Sequence, residues 1–503
     1  MDKSKLVHIK VYATNIQFSV NNDYELENGL RLDEFMKSLT EYKFNYIVKG
    51  WLPINKYILH NRTTGHLIVP RFYLKELVDY IQYYTGTTPI IEKQEIDQGT
   101  LVDFTLNSWW KLRDDQIPAW EFLVKCPYSM RALPLIPGFG KTVLSLFTAA
   151  TLQRPFIIIV EGLIEQWYNV ILNGNMKQPP VFDIEPEDVY LIQGQNSLVD
   201  LCENTQYNPK IIVASLATIR NYVHASNFPY SELPTFDTLM KRIGIGTKII
   251  DEAHRAFSTI VDIDLHSNIA NNIYLSATLT RSDRQSKRIF MRIFPDLIRY
   301  KPPKSPPYKI VYYLPYTLGH MKERKIVSKR YGYNHNKYEN FILSIIEYKL
   351  EFLKFINNCF ASYYLKIKDN DEKCMIMASS RNMCDVLLHY FKSNYPELKV
   401  NSYYGNDNDD NLKNADVIIS SVKKGSTGVD VKKLRTFINT VSIGSEIQPI
   451  QIIGRLRKLE NNKMPIYVAM YNKNIDAHIR HYKFCKEIYR RDAKEFYDLT
   501  EFI

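Results

Sequence analysis

The sequence predicts an α/β protein with two tandem parallel sheets, preceded by a small α+β segment. From about residue 130, short apolar runs alternate with helix-like stretches, which is the pattern of parallel strands covered by helices. A proline-rich stretch, KPPKSPPYK at 301–309, interrupts this series because prolines cannot continue a helix or a central strand, and a second series follows it. Residues before about 105 lack the rhythm. We therefore predict three domains, at 1–106, 107–305 and 306–503.

The apolar runs predict the individual elements in chain order. The N-terminus alternates apolar and polar residues like a strand, and a helix is expected near Leu74–Tyr84. In the first α/β series the expected strands are 132–136, 156–160, 211–214, 249–250 and 273–275. In the second series they are 374–378, 417–420, 437–441 and 466–470. We predict that each strand of a series joins one parallel sheet.

Composition restricts the class of protein. The 503 residues are 45% hydrophobic and 24% charged, which is typical of globular domains and excludes a largely disordered chain. The net charge of +11 fits a polyanion partner, although a merely solvated basic surface has the same composition. No apolar run has the length needed to span a bilayer, and the six cysteines form no CxxC pair. We therefore expect a reducing, cytoplasmic location, no membrane contact and no zinc site or disulfide framework.

The strongest local signal is PGFGKT at Pro137–Thr142, which lies between an apolar strand and the helix-like VLSLFTAATL. In such a loop, Gly138 and Gly140 let backbone N–H groups approach phosphate oxygens. Lys141 supplies a positive charge to the terminal phosphates, and Thr142 offers a hydroxyl to Mg²⁺. A tight strand-to-helix turn without a ligand is the alternative interpretation. The order strand, glycine loop, helix favours a nucleotide site.

A second signal, IIDEAH at Ile249–His254, delivers two carboxylates to the C-terminal end of a strand, which is the usual ligand edge of an open α/β sheet. Asp251 would hold Mg²⁺ directly or through water, and Glu252 would orient and deprotonate an attacking water. The same letters also occur as a surface acidic turn. Because the motif follows Lys141 by about 110 residues, a separation that suits one α/β lobe, the two motifs together predict an ATP site.

With these motifs on one chain, the sequence resembles superfamily 2 helicases, and the resemblance extends over about residues 107–470. In the first lobe, LRDDQIPAWEFL, which contains Gln116, resembles the adenine-reading Q motif, because an amide offers both a donor and an acceptor to a base edge. FIIIVEGLIEQW at 156–167 resembles motif Ia. IIVASLATI at 211–219 resembles the family segment that contacts the backbone phosphates of a nucleic-acid strand. Ser276–Ala277–Thr278 matches the SAT motif, which links hydrolysis to movement on nucleic acid.

The second series carries the remaining motifs. CMIMASSRNM resembles motif IV, KGSTGVDVKKL resembles motif V, and QIIGRLRK at 451–458 resembles motif VI. The family spaces its two motif VI arginines as GRxxR, whereas this chain has Arg455 and Arg457, with Lys458 at the expected second position. A planar guanidinium suits the spread charge of a phosphoryl-transfer transition state better than an ammonium. Either arginine is therefore a candidate for the γ-phosphate contact; Arg281 is a further candidate, although a surface arginine is its plainer interpretation.

The resemblance implies roles for individual residues. The implied catalytic residues are Lys141, Asp251, Glu252, Arg455 and Arg457, with Mg²⁺ held at Thr142 and Asp251. The implied ATP-binding residues are Arg113, Gln116, Pro137, Gly138, Phe139, Gly140, Lys141, Thr142, Gly428 and Asp430. The implied coupling residues are His254, Ser276, Thr278 and Gln451, and the implied nucleic-acid-binding residues are Ser215, Thr218, Ser379, Arg381 and Thr427.

Within this superfamily, residues 44–81 are similar to the aromatic and glycine–tryptophan pattern of the phage UvsW-type helicases that remodel branched DNA. This implies two RecA-like lobes closing on ATP, an N-terminal domain that engages DNA, 3′-to-5′ motion, and forks or four-way junctions as substrates. Phage recombination, repair or replication in the host cytoplasm is the implied setting. The alternatives are an RNA-directed helicase or transcript-release factor, a duplex translocase that does not separate strands, and a binding module that has lost its chemistry.

Overall fold

The computed structural model describes residues 6–499 except 46–47, 62–63, 136–138, 162–163, 175–177, 229, 277–283, 304–305, 320–332, 409, 426–430, 446, 460 and 462. The chain divides into two compact units. The first contains Met1–Leu135 and Phe139–Pro302, and the second contains Pro303–Ile503. Each unit has its own parallel sheet covered by helices, so the predicted fold class is confirmed. Within the described residues, no helix is both long enough and apolar enough to cross a bilayer.

The N-terminal segment forms a mixed sheet and a separate hairpin. Its elements are β1 (His8–Val11), β2 (Asn15–Ser19), α1 (Asp33–Ser38), β3 (Thr40–Asn45), β4 (Gly50–Lys56), β5 (Leu59–Asn61), β6 (His66–Pro70), α2 (Leu74–Thr85) and β7 (Ile90–Lys93). The sheet has the order β5-β6-β2-β1-β7, and in the part of the chain that the structure describes β3 pairs with β4 alone. Helix α2 buries Leu77 and Ile81 and ends at Gly86, whose φ of 70° is the left-handed conformation that glycine adopts without strain.

The first α/β series contains a six-stranded sheet in which every neighbouring pair is parallel. Its elements are β8 (Thr105–Leu106), α3 (Ile117–Lys125), β9 (Met130–Pro134), α4 (Lys141–Leu152), β10 (Phe156–Val160), α5 (Ile164–Tyr168), β11 (Phe182–Asp183), β12 (Val189–Ile192), α6 (Gln195–Glu203), β13 (Ile211–Ser215), α7 (Leu216–Ser226), α8 (Phe236–Ile243), β14 (Thr247–Ile250), α9 (Phe257–Leu265), β15 (Asn271–Ser276) and α10 (Arg284–Ile293). The sheet order is β12-β13-β10-β14-β15-β9. Every residue of β10 is buried, because helices cover both faces of a parallel sheet.

The N-terminal segment and this sheet share one apolar core. Tyr57, which is buried, packs against Phe257 with ring centroids 5.2 Å apart. The Thr14 hydroxyl donates to the backbone carbonyls of Asp264 and Ser267, at 2.6 and 2.7 Å. The N-terminal segment therefore packs on the first α/β series, and the domain boundary near residue 106 stays a prediction.

The second unit contains a seven-stranded parallel sheet in the order β18-β19-β17-β20-β21-β16-β22. Its elements are β16 (Lys309–Tyr316), α11 (His335–Leu343), α12 (Ile346–Phe360), β17 (Lys373–Ala378), α13 (Arg381–Asn394), β18 (Val400–Tyr403), α14 (Asp410–Lys413), β19 (Val417–Ser421), α15 (Val422–Gly425), β20 (Leu434–Asn439), α16 (Ile447–Ile453), β21 (Ile466–Asn472), α17 (Asp476–Asp492) and β22 (Ala493–Asp498).

The expected strands of both series are present, and two of them are shifted. Strand β9 is Met130–Pro134, whereas the sequence suggested 132–136. Strand β20 ends at Asn439, whereas the sequence suggested 437–441. The Asn439 side chain accepts a hydrogen bond from the backbone N–H of Val441 at 2.9 Å, and this local bond turns the chain away from the sheet. Strands β12, β16, β18 and β22 were not predicted. Their runs are short or mix polar and apolar residues, so their pattern does not stand out from that of loops.

Candidate active site

Three neighbouring strands of the first sheet end at the same edge, and each is followed by a predicted site residue. The order β14-β15-β9 places the chain that follows β14, which begins with Asp251, beside Ser276 at the end of β15. The phosphate loop follows β9 and leads into α4 at Lys141. Because the carboxyl ends of parallel strands share one edge, this arrangement makes a single candidate ligand site.

The described part of the phosphate loop has the geometry of an anion-binding turn. Gly140 has φ +87° and stands at the N-cap of α4, where no side chain caps the first N–H groups. A Cβ atom at Gly140 would come within 2.4 Å of Gln116 Nε2, so only glycine fits there. Pro137 and Gly138 lie outside the described residues.

Gln116 is buried, and its amide links the phosphate loop to the segment before α3. Its Nε2 donates to the backbone carbonyl of Phe139 at 2.7 Å, and its Oε1 accepts from the backbone N–H of Arg113 at 2.9 Å. The Arg113 guanidinium donates to the same Phe139 carbonyl at 2.9 Å and pairs with Asp115. The structure therefore brings Gln116, Arg113 and Phe139 together, with the amide engaged on the loop backbone.

Asp251 is held in place at the end of β14. Its carboxylate accepts hydrogen bonds from the backbone N–H of Glu252 at 2.8 Å and from Trp167 Nε1 at 3.3 Å. Burial raises the pKa of Asp251, and the Glu252 charge raises it further, while Lys141 lowers it. Lys141 therefore acts on the carboxylate electrostatically, as a loop lysine beside a metal-binding aspartate would.

Trp167 was not among the predicted site residues. It is buried in α5, in the stretch that resembles motif Ia. The only signal for it in the sequence is an indole, which as a donor needs an acceptor when it is buried.

Glu252 has an unusual backbone conformation just after the end of β14. Its φ is +51°, a left-handed value that is uncommon for a residue with a side chain. Its Oε2 atom is buried and makes no hydrogen bond, and lies 3.2 Å from His254 Nδ1. The buried oxygen is therefore within ion-pair distance of a protonated His254 ring, and a water molecule at the site would supply its hydrogen bond. Strained backbone of this kind is typical of functional sites.

His254 connects the end of β14 to the end of β15. Its Nδ1 lies 2.9 Å from the hydroxyl of Ser276, and both side chains are buried. The backbone N–H of Ala253 also donates to the carbonyl of Leu275 at 2.9 Å. The structure therefore brings two predicted coupling residues into direct contact. Thr278, Ala277 and Arg281 lie outside the described residues.

Two predicted nucleic-acid contacts form the start of a helix. Ser215 is the N-cap of α7, and its hydroxyl accepts from the backbone N–H of Thr218 at 3.0 Å. The two hydroxyls lie 2.7 Å apart, and both side chains are half-buried. Capping accounts for this pair structurally. The contact of Ser215 and Thr218 with the backbone phosphates of a nucleic-acid strand stays a prediction.

Two predicted residues of the second unit, Ser379 and Arg381, lie just after the end of β17, at the corresponding edge of its sheet. Ser379 follows β17, and the buried Glu339 carboxylate accepts from the backbone N–H groups of Ser379 and Ser380, at 2.7 and 2.5 Å. Arg381 begins α13 and is exposed. Glu339 was missed in the sequence because its partners lie about 40 residues further along the chain.

The motif VI residues follow β20 and differ in exposure. Gln451 and Arg455 are buried, whereas Arg457 is half-buried. The Tyr308 hydroxyl donates to the backbone carbonyl of Leu456 at 3.0 Å, which fixes the turn between the two arginines. Burial raises the pKa of Tyr308, and the charge of Arg457 lowers it. Thr427, Gly428 and Asp430 lie outside the described residues.

The residues of the first unit fit a magnesium nucleotide. The uncapped start of α4 offers N–H groups to phosphates, and Lys141 offers a cation. Thr142 follows Lys141 at the start of the helix, and the oxygen donors that Mg²⁺ prefers are a hydroxyl and a carboxylate, here those of Thr142 and Asp251. Glu252, whose Oε2 is buried without a hydrogen bond, directly follows Asp251 in the chain.

Comparison with known proteins gives a resemblance in fold. No family model and no curated protein matches the chain. Among solved structures, T4 UvsW is 16% identical with a TM-score of 0.37, covering 98% of this chain and 100% of its own. S. cerevisiae Dbp5 bound to RNA and ADP BeF3 is 14% identical with a TM-score of 0.47, covering 77% of this chain and 90% of its own. The Pyrococcus furiosus Hef helicase domain is 15% identical with a TM-score of 0.43, covering 74% and 98%.

The chain is therefore similar to these solved structures over most of its length. The chemistry of the site depends on the side chains described above.

Proposed function

We propose that the protein is an ATP-dependent DNA helicase or translocase that unwinds or branch-migrates forked and junction DNA. The observation that carries the proposal is the edge of the first sheet. There a loop lysine acts electrostatically on the half-buried Asp251, next to a Glu252 oxygen that has no hydrogen bond. A cation, a carboxylate for the metal and a second carboxylate to orient water are the parts that nucleotide hydrolysis requires.

The bound magnesium nucleotide would supply the phosphoanhydride bond and the charge neutralisation for its cleavage. Lys141 and the N–H groups at the start of α4 bind the phosphates, and Thr142 and Asp251 hold the cation. Glu252 orients the attacking water and accepts its proton at Oε2, the atom that the fold leaves without a hydrogen bond. Gln116 and Arg113 keep the loop carbonyl of Phe139 turned away from the phosphates.

Coupling to movement would pass through His254. Its Nδ1 touches Ser276 and lies near Glu252, so a change of charge at Glu252 reaches the end of β15 directly. In this proposal Arg455 or Arg457 approaches the terminal phosphate from the second lobe, with Gln451, Gly428 and Asp430. Ser215, Thr218, Thr278, Ser379, Arg381 and Thr427 contact one strand's backbone. Such contacts carry no base code, so binding weakens steeply with salt.

We propose branched DNA as the substrate because residues 44–81 resemble the N-terminal pattern of phage UvsW-type helicases. This substrate implies a role in recombination, repair or replication. RNA-directed unwinding is the second candidate, since backbone contacts tolerate either polymer. Comparison of ATP turnover with matched single-stranded, duplex, forked and four-way DNA, and with RNA, distinguishes the two. Stronger stimulation by RNA than by every DNA would favour the second candidate.

The decisive test uses Lys141→Ala and Glu252→Gln in the full chain. Each is expected to abolish nucleic-acid-stimulated ATP hydrolysis while DNA binding, measured by fluorescence anisotropy, remains. Lys125→Ala is a matched control, because Lys125 is an exposed lysine whose Nζ lies 3.3 Å from Oε1 of Glu121, and such surface ion pairs contribute little. Wild-type turnover in either site variant would refute the assigned roles.

A further inference from the structure

The β3–β4 hairpin, Thr40–Asn45 with Gly50–Lys56, exposes apolar side chains that a folded chain normally buries. Trp51 is 66% exposed, Ile54 53% and Leu52 42%, and Val48, in the connection between the strands, is 59% exposed. The hairpin pairs with no other strand within the described residues. A cluster of exposed large apolar residues on one element indicates a contact surface.

The base of the hairpin is fixed while its body is exposed. The residue after β4, Tyr57, is buried, and its backbone N–H donates to the carbonyl of Leu39 at 2.9 Å. The Thr40 hydroxyl donates to the carbonyl of Met36 at 2.9 Å. Since Tyr57 packs on Phe257 of the first α/β series, the hairpin is anchored to the unit that carries Lys141 and Asp251. The hairpin is therefore held in a fixed position on the unit that carries the candidate ATP site.

The charges of the hairpin favour an anionic partner. Its exposed charged residues are Lys43, Lys49 and Lys56. Its one carboxylate, Glu41, is buried and accepts a hydrogen bond from Asn55 Nδ2 at 2.7 Å. Lysines are depleted in protein–protein interfaces, so their presence around an apolar cluster argues against a second protein surface.

The ring of Trp51 is accessible as a surface on which a base can stack. Phe44 packs on it edge-to-face, with centroids 5.7 Å apart and an interplanar angle of 74°, which restrains the indole and leaves it accessible. Aromatic rings of this kind bind unpaired bases, because every base has a π-face. Paired bases are already stacked within a duplex, so a free base is the better partner.

We propose that the β3–β4 hairpin binds DNA where a single strand meets a duplex, with Trp51 stacked on an unpaired base and Lys43, Lys49 and Lys56 on the flanking phosphates. This deepens the proposed function, on which its place in the reaction rests. The contact itself requires no ATP.

The test measures binding of the full chain, without nucleotide, to a fork that carries 2-aminopurine at the unpaired position next to the duplex. Trp51→Ala should weaken binding about tenfold and remove the quenching of 2-aminopurine, whereas Trp51→Phe should retain most of both. Tyr83→Ala is the matched control, because Tyr83 is 82% exposed and also meets a neighbouring ring, that of Tyr84, edge-on. It should bind like the wild type, and all variants should keep the wild-type melting temperature.

Wild-type affinity and quenching in Trp51→Ala would overturn the proposal. So would a loss of self-association in Trp51→Ala, seen by sedimentation, with fork binding unchanged, because the hairpin would then contact a second copy. Failure of the proposed function can be distinguished from failure of the hairpin proposal. If the proposed function is wrong, ATP turnover by the wild-type chain will not respond to DNA, and this turnover is measured separately from fork binding.

Discussion

The amide of Gln116 donates to the backbone carbonyl of Phe139 at 2.7 Å, one residue before the glycine that caps α4. The other end of the amide accepts from the backbone N–H of Arg113, so one buried side chain ties the segment before α3 to the phosphate loop. There is no space for a side chain at Gly140, because a Cβ atom at that position would lie 2.4 Å from the amide nitrogen of Gln116. The predicted adenine-reading residue is thus also in contact with the loop that would hold the phosphates.

Gln116→Ala should therefore raise the KM for ATP about tenfold, since it removes two partly buried hydrogen bonds that tie the loop to the segment before α3. The change is measured by steady-state ATP turnover with saturating DNA. Asp115→Ala is the control, because its ion pair with Arg113 is exposed and contributes little. A KM for Gln116→Ala equal to that of the control would show that the amide does not hold the loop for ATP.

Ser276→Ala should separate hydrolysis from movement. It removes the hydroxyl that lies 2.9 Å from His254 Nδ1 and leaves Asp251 and Glu252 in place. We expect ATP turnover within a few-fold of the wild type but strand separation reduced at least tenfold, measured on the same fork. Ser226→Ala, a buried serine that donates to a helix carbonyl, is the control. Equal losses of turnover and strand separation would contradict a coupling role.

Lys248→Ala should destabilise the first unit strongly. Lys248 is fully buried and donates to Asp264 at 2.6 Å, and Asp264 also accepts from the Tyr274 hydroxyl at 2.8 Å. Removing one partner of a buried ion pair leaves an uncompensated charge, which costs about 3–5 kcal/mol. Urea unfolding measures the difference. Lys210→Ala, which breaks the partly exposed pair with Asp188, should change stability by less than about 1 kcal/mol.

The stability of the second unit should fall in acid because of His478. Burial, with His335 and His481 nearby, holds the pKa of His478 well below its ordinary value. Its ring accepts from the backbone N–H of Asn472 at 3.1 Å, which requires the neutral form.

A histidine whose folded pKa is depressed binds its proton more readily in the unfolded chain. The stability it contributes is therefore present above the unfolded pKa, near 6.5, and is lost as the pH falls towards the folded value. Below about pH 6 the expected slope is up to about 1.4 kcal/mol per pH unit from this residue. His478→Asn should reduce the slope of the urea midpoint against pH, whereas His389→Asn, at an exposed position, should not. Equal slopes in both variants would contradict the assignment.

Most strands of the two α/β series could be predicted because their pattern is local, and the two motifs of the candidate phosphate site are local in the same way. FIIIV at 156–160 is a strand wherever helices cover both faces of its sheet, and a glycine loop between a strand and a helix can take few conformations. The weakly patterned strands β12 and β18 could not be predicted, since their residues alternate too little to distinguish them from loops. Their positions follow from pairing with β13 and β19.

The sequence alone determined which chemical groups the site contains, because Lys141, Asp251 and Glu252 lie in short motifs whose meaning is local. Only the tertiary structure decided what positions them. Trp167 reaches Asp251 across 84 residues, and Ser276 reaches His254 across 22. Such contacts depend on which strands become neighbours in the sheet, and that is settled by packing of the whole chain and has no signature within any one segment.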